Sequence, residues 1–112
     1  MSQEDWKSLR KAKMAYIEGR IIELILNDIR IYVFIGKDRD YLVNENGCTC
    51  KYFFYNLGKK YCYHILALKL SLDRENYKKY KISADEFKEI LYEIYSMGKS
   101  LKLRKIISRG YH

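Results

Sequence analysis

Cys48, Cys50, Cys62 and His64 follow the spacing C-x-C-x11-C-x-H, and they hold every cysteine of the chain and one of its two histidines. Thiolate and imidazole are the donors that zinc takes in a tetrahedron, with Zn–S near ~2.3 Å and Zn–N near ~2.0–2.1 Å. Residues two apart on a strand face the same side, so Cys48 and Cys50 can converge after a modest bend. Residues two apart in a helix diverge. Cys62 must therefore stand just before a helix and His64 in its first turn, where free backbone N–H groups favour thiolate. Four protein ligands leave no open coordination position, which points to a structural ion rather than a hydrolytic one. Lys51, Lys59 and Lys60 share the loop and can offset the surplus negative charge of three thiolates. Two other readings of the spacing stay open. One is three inert core cysteines beside an exposed histidine. The other is an iron–sulfur centre, although the Cys/His order does not reproduce the Rieske pairing.

The elements that must position these residues are marked to different degrees. Residues 2–17 read as a helix ended by Gly19, with Ser2 and Asp5 as an N-cap pair and Trp6 as a packing residue. Residues 20–26 are rich in Ile and Leu, and Asn27-Asp28 supplies turn chemistry. Ile29, Ile31, Val33 and Ile35 alternate with Arg30, Tyr32 and Phe34, a period of two that predicts a strand. A turn at residues 36–39 and a third strand at 40–44 complete an antiparallel meander. Residues 64–72 read as a buried helix, although the alternation of Leu66, Leu68, Leu70 and Leu72 also permits a strand. Residues 73–81 read as a connection. Ser83 and Glu86 form a capping box, Ile82 and Phe87 a hydrophobic staple, and Gly98 the C′ stop of the best-marked helix. The expected fold is α+β: a three-stranded antiparallel β-meander leads into a CxCx(n)CxH zinc site, a buried helix follows it, and N- and C-terminal helices cover the sheet.

The strand, turn, Y-x-V strand, C-T-C pair and C-x-H-I-L-A-L helix over residues 29–70 resemble the SWIM zinc finger. That module is known from chromatin-remodelling ATPases, Mutator-type transposases, some kinases and recombination accessory proteins. The resemblance implies that Cys48, Cys50, Cys62 and His64 hold one structural zinc ion. It also implies binding to DNA or to protein. Small proteins with this module resemble partners of RecA-family recombinases and their paralogues.

At 112 residues the chain fits one domain, spanning residues 1–112. Its net charge is +8, and residues 98–112 carry five basic and no acidic groups. In this basic C-terminal tail (residues 99–112), Lys99, Lys102, Arg104, Lys105 and Arg109 are candidate phosphate contacts, as are Lys51, Lys59 and Lys60 in the loop. Tyr52, Phe53, Phe54 and Tyr55 either pack around the metal or stack bases of a single strand. The expected role is a zinc-dependent module that binds single-stranded or duplex DNA in repair or recombination. The alternative is a protein adaptor for a recombinase paralogue, using tail apolar residues and exposed tyrosines such as Tyr77, Tyr80 and Tyr92. No phosphate loop, nucleophile elbow or second placed histidine suggests an enzyme, and Asp38 and Asp40 read as turn residues. No small-molecule substrate is expected. Residues 1–13 lack an apolar signal region and no apolar run approaches about 18 residues. The odd cysteine count argues against a closed disulfide set, so the expected setting is a reducing cytoplasm away from membranes.

Overall fold

A computed structural model describes residues 3–49 and 62–108. Its elements are α1 (Gln3–Ile17), β1 (Ile21–Leu26), β2 (Ile29–Ile35), β3 (Asp40–Asn44), β4 (Gly47–Cys48), α2 (Tyr63–Arg74), β5 (Lys78–Lys81), α3 (Ala84–Met97) and α4 (Leu101–Ser108). The fold is α+β, with four helices and one five-stranded mixed sheet of order β4-β3-β2-β1-β5 among the described residues. The expected meander is present. β1 pairs antiparallel with β2 from Ile21↔Phe34 to Leu26↔Ile29, and β2 with β3 from Tyr32↔Val43 to Ile35↔Asp40.

The period-two pattern sends alternate side chains to two helical layers. Ile21, Phe34 and Val43 meet Ala12 and Ala15 of α1 and Ile65, Ala67 and Leu68 of α2. Ile22, Leu24 and Val33 meet Ile90 and Ile94 of α3 and Leu103 and Ile106 of α4. Fully buried alanines at 12 and 67 let α1 and α2 approach closely. Glu23 faces the α1/α2 side opposite Tyr32 and is fully buried, with Arg30 Nη1 3.5 Å from its carboxylate. Burial first, and then Glu23, push the Tyr32 phenol up to about 12.

Three expectations are corrected. Residues 78–81 are not a connection: β5 pairs parallel with β1, Ile22↔Lys78 to Ile25↔Lys81. That register sets Tyr80 opposite Leu24, so Tyr80 is core (2% exposed) and offers no docking surface. A single apolar residue among three lysines gave no strand signal. Those lysines suit an edge strand, because charge there discourages pairing with another chain. Trp6, expected to pack, is 57% exposed.

The final basic segment is a docked helix. Eight residues are too few for a stable isolated helix, so α4 depends on outside partners. Ser100 Oγ accepts from Leu103 N at 3.0 Å as N-cap, and Glu93 Oε1 of α3 accepts from Lys102 N and Ser100 Oγ, each at 2.8 Å. Asp40 of β3, read from sequence as a turn residue, is 2% exposed. It accepts from Ser100 N at 2.9 Å and from Arg104 Nη2 at 2.6 Å. Burial pushes the Asp40 carboxyl above the ordinary value, while Ser100 N–H and Arg104 pull it back. Gly98 ends α3 at φ +81°, and a Cβ there would meet the Arg39 guanidinium. The capping box at Ser83 and Glu86 is formed as expected.

Leu103→Ala is expected to destabilise the fold by about 3 kcal/mol, read as a fall in the urea midpoint. Glu93→Gln is expected to cost about 1 kcal/mol through the cap of α4. The hydrogen bonds from Lys102 N and Ser100 lower the Glu93 carboxyl below its ordinary 4.5. Its contribution is therefore complete above that value and is lost only as pH falls through the lower folded-state value. The gap between wild type and Glu93→Gln should be equal at about pH 7 and pH 5.5.

Candidate metal centre

β4 is two residues long and ends at Cys48, which pairs with Val43 and lies under the sheet rim at 6% exposure. Cys62 is the N-cap of α2, with extended backbone (φ −111°, ψ 171°), and His64 sits in the first turn. This is the placement that the Cys-x-His spacing demands. An extended residue followed by helix swings two side chains onto one side that a continuous helix would separate.

The side chains converge. His64 Nδ1 lies 3.6 Å from Cys48 Sγ and 3.6 Å from Cys62 Sγ. All three donor atoms lie within 4.8 Å of one another, and all three residues are buried. Zinc bond lengths at a tetrahedral angle place sulfur and nitrogen about 3.6 Å apart. The observed spacing is thus that of two edges of a zinc tetrahedron. One imidazole nitrogen has one lone pair, which cannot serve two thiols equally; a cation between the three atoms satisfies all of them. The donor set therefore fits zinc. Cys48 and Cys62 form no disulfide. Cys50, the fourth expected ligand, lies outside the described residues, as do Lys51, Lys59, Lys60, Arg109 and the 52–55 aromatic run.

An aromatic cage holds the imidazole, and sequence reading missed it. The rings of Phe34, Tyr41 and Tyr63 stand 4.4, 4.5 and 4.1 Å from the His64 ring, centroid to centroid. Phe34 and Tyr41 are register partners on β2 and β3, so the meander itself builds two walls. The one available signal was the period-two phase that puts Phe34 on the same face as Tyr32. His64 Nε2 is buried with no hydrogen-bond partner among the described residues, so the ring is aimed by packing and by its Nδ1 side.

The tail cations predicted to meet phosphate are placed differently from one another. Arg104 is held by Asp40 and also donates to Gly36 O at 3.2 Å. Lys102 Nζ stands 3.9 Å from both Glu86 and Glu89. Lys105 is exposed and Lys99 half-buried.

Zinc withdrawal by a strong chelator should unfold at least residues 41–70. The loss of far-UV ellipticity should reverse on adding zinc. Cys62→Ser should reproduce the metal-free state, and a soluble, cooperatively folded, zinc-free variant would contradict this.

No described helix is long and apolar enough to cross a membrane. No curated protein and no solved structure matches the chain. Residues 33–73, which run from β2 through the metal centre to α2, match the family model of the SWIM zinc finger, so this segment of the chain is of that family.

Proposed function

We propose that this chain is a nucleic-acid-binding module built around one structural zinc ion on Cys48, Cys50, Cys62 and His64, and that its ligand is DNA. Burial supports the structural role of the metal: Cys48, Cys62 and His64 are 6, 1 and 5% exposed. The reading includes no catalytic step. The observation that carries the nucleic-acid part is charge, +8 on 112 residues. Such a field favours polyanions and concentrates them at the surface. A context in repair or recombination rests on the SWIM resemblance, and a cytoplasmic setting on the odd cysteine count.

A second reading, a protein adaptor for a recombinase paralogue, has one observation in its favour. Tyr92, Tyr95, Met97 and Leu101 are 73, 69, 55 and 53% exposed where α3 passes into α4. Aromatic and Met side chains of this kind are enriched at interfaces.

Fluorescence anisotropy of labelled single-stranded and duplex DNA, at about 50 and 200 mM salt, separates the two readings. Zinc-loaded protein is expected to bind at low salt and to release steeply at high salt. No binding at low salt by folded, zinc-loaded protein would overturn the nucleic-acid reading. Deleting α4 is not a usable probe, because Leu103 and Ile106 belong to the core. Lys99→Ser with Lys105→Ser tests the tail without uncovering it.

A further inference from the structure

The tail holds the densest positive charge in the sequence, yet two of its cations face carboxylates. The unpaired charge gathers elsewhere. A cleft of about 590 Å³ runs between the outer face of α1 and the β2–β3 turn. Arg10 and Lys11 border it from α1, and Lys37 and Arg39 from the turn. All four are exposed, and none is ion-paired with a described carboxylate. Against them stands only Asp38, because Glu18 is held by Arg20 at 2.9 Å.

The cleft is built, not incidental. Gly36 N donates to Arg39 O at 2.9 Å and closes the turn that presents Lys37 and Arg39. A Cβ on Gly36 would collide with that same carbonyl oxygen, so the tight turn requires glycine. Arg20 braces the turn's root by donating to Ile35 O at 2.9 Å. One wall is aromatic. Tyr41 and Tyr63, the two tyrosines that cage His64, are half-buried and line the cleft. Lys11 Nζ stands 5.6 Å from the Tyr63 ring centroid.

We propose that this cleft is the site at which a single DNA strand is held, with backbone phosphates on Arg10, Lys11 and Lys37 and a base against the tyrosine wall. The inference rests on the nucleic-acid reading above and locates it. Cations beside aromatic faces are the pattern of single-strand sites, where charge tracks the backbone and rings stack bases. The volume lies within the ~300–1,000 Å³ of ordinary ligand pockets. In a B-form duplex the base faces are stacked on one another and are not available to a tyrosine wall, so a duplex can offer this cleft only its phosphates. The wall is seated on the metal ligand, so holding the strand also depends on zinc.

The test is anisotropy with a labelled single-stranded oligonucleotide and zinc-loaded, full-length protein. Three phosphate contacts give a log–log salt slope near −2, or a roughly 20-fold weakening from about 50 to 200 mM salt. The triple variant Arg10→Ser, Lys11→Ser, Lys37→Ser changes exposed residues only. With zinc content and thermal midpoint unchanged, it is expected to lose about tenfold or more in affinity at low salt and to flatten the slope. Lys99→Ser with Lys105→Ser is expected to bind as wild type. Three results overturn the cleft assignment while leaving the nucleic-acid reading in place. They are wild-type affinity in the triple variant, loss confined to the tail variant, or equal affinity for duplex and single strand. An abasic strand of the same length should bind more weakly; equal binding would remove the base from the site. If wild-type protein binds no oligonucleotide at low salt, the broader reading fails and the cleft assignment falls with it.

Discussion

Two sulfurs and a ring nitrogen, each pair of unlike atoms 3.6 Å apart, tie the short strand β4 to the first turn of α2. Much of the α1/α2 face depends on that tie. Cys48 and Cys62 sit inside the same apolar cluster as Ile65, Ala67 and Leu68, so the donors are part of the core they organise. A domain of this size leaves a large fraction of its surface wet and gains little from burial alone. A cation that binds only when a strand end and a helix start are correctly placed adds its binding free energy to that arrangement. In the folded domain the histidine ring is clamped by three aromatic rings, so the packing of the meander and the aim of the metal donor depend on one another.

The opposite face is held by other means. There, α3 and α4 pack on Ile22, Leu24 and Val33, and a polar lattice from Asp40, Glu93, Ser100 and Arg104 fixes the short last helix. Each carboxylate serves more than one donor, so the N-terminus of α4 is satisfied without a long helix. The sheet thus carries a metal-dependent layer and a metal-independent layer on its two faces.

Elements with local signals could be read from the chain. The alternation of Ile29 to Ile35 set strand and face together, and the Ser83–Glu86 box marked a helix start to the residue. The convergence of Cys48, Cys62 and His64 was legible for the same reason: their chemistry is rare and their spacing short. What could not be read depends on distance. β5 is a strand only because β1 offers it an edge, and its Lys-Lys-Tyr-Lys text says nothing of that partner. Asp40 looked like a turn residue because Arg104 and Ser100, which bury and pair it, lie some sixty positions away. Charge behaved likewise. Residues 1–35 are close to neutral in tally and residues 98–112 strongly basic, yet folding pairs two tail cations with acids and gathers Arg10, Lys11 and Lys37 around one opening.

The Asp40 anchor also bears on the autonomy of the finger. The segment matching the family model runs from residue 33 to 73 and so includes β3 but neither α3 nor α4. Cut out at those limits, it would carry a carboxylate stripped of its guanidinium and amide partners. Val33 would open to water, and β2 would lose β1 as its neighbour. The finger in this protein is therefore not a transplantable bead on a string. Its edges have been tailored to one host, and neither can be exchanged without refitting the other.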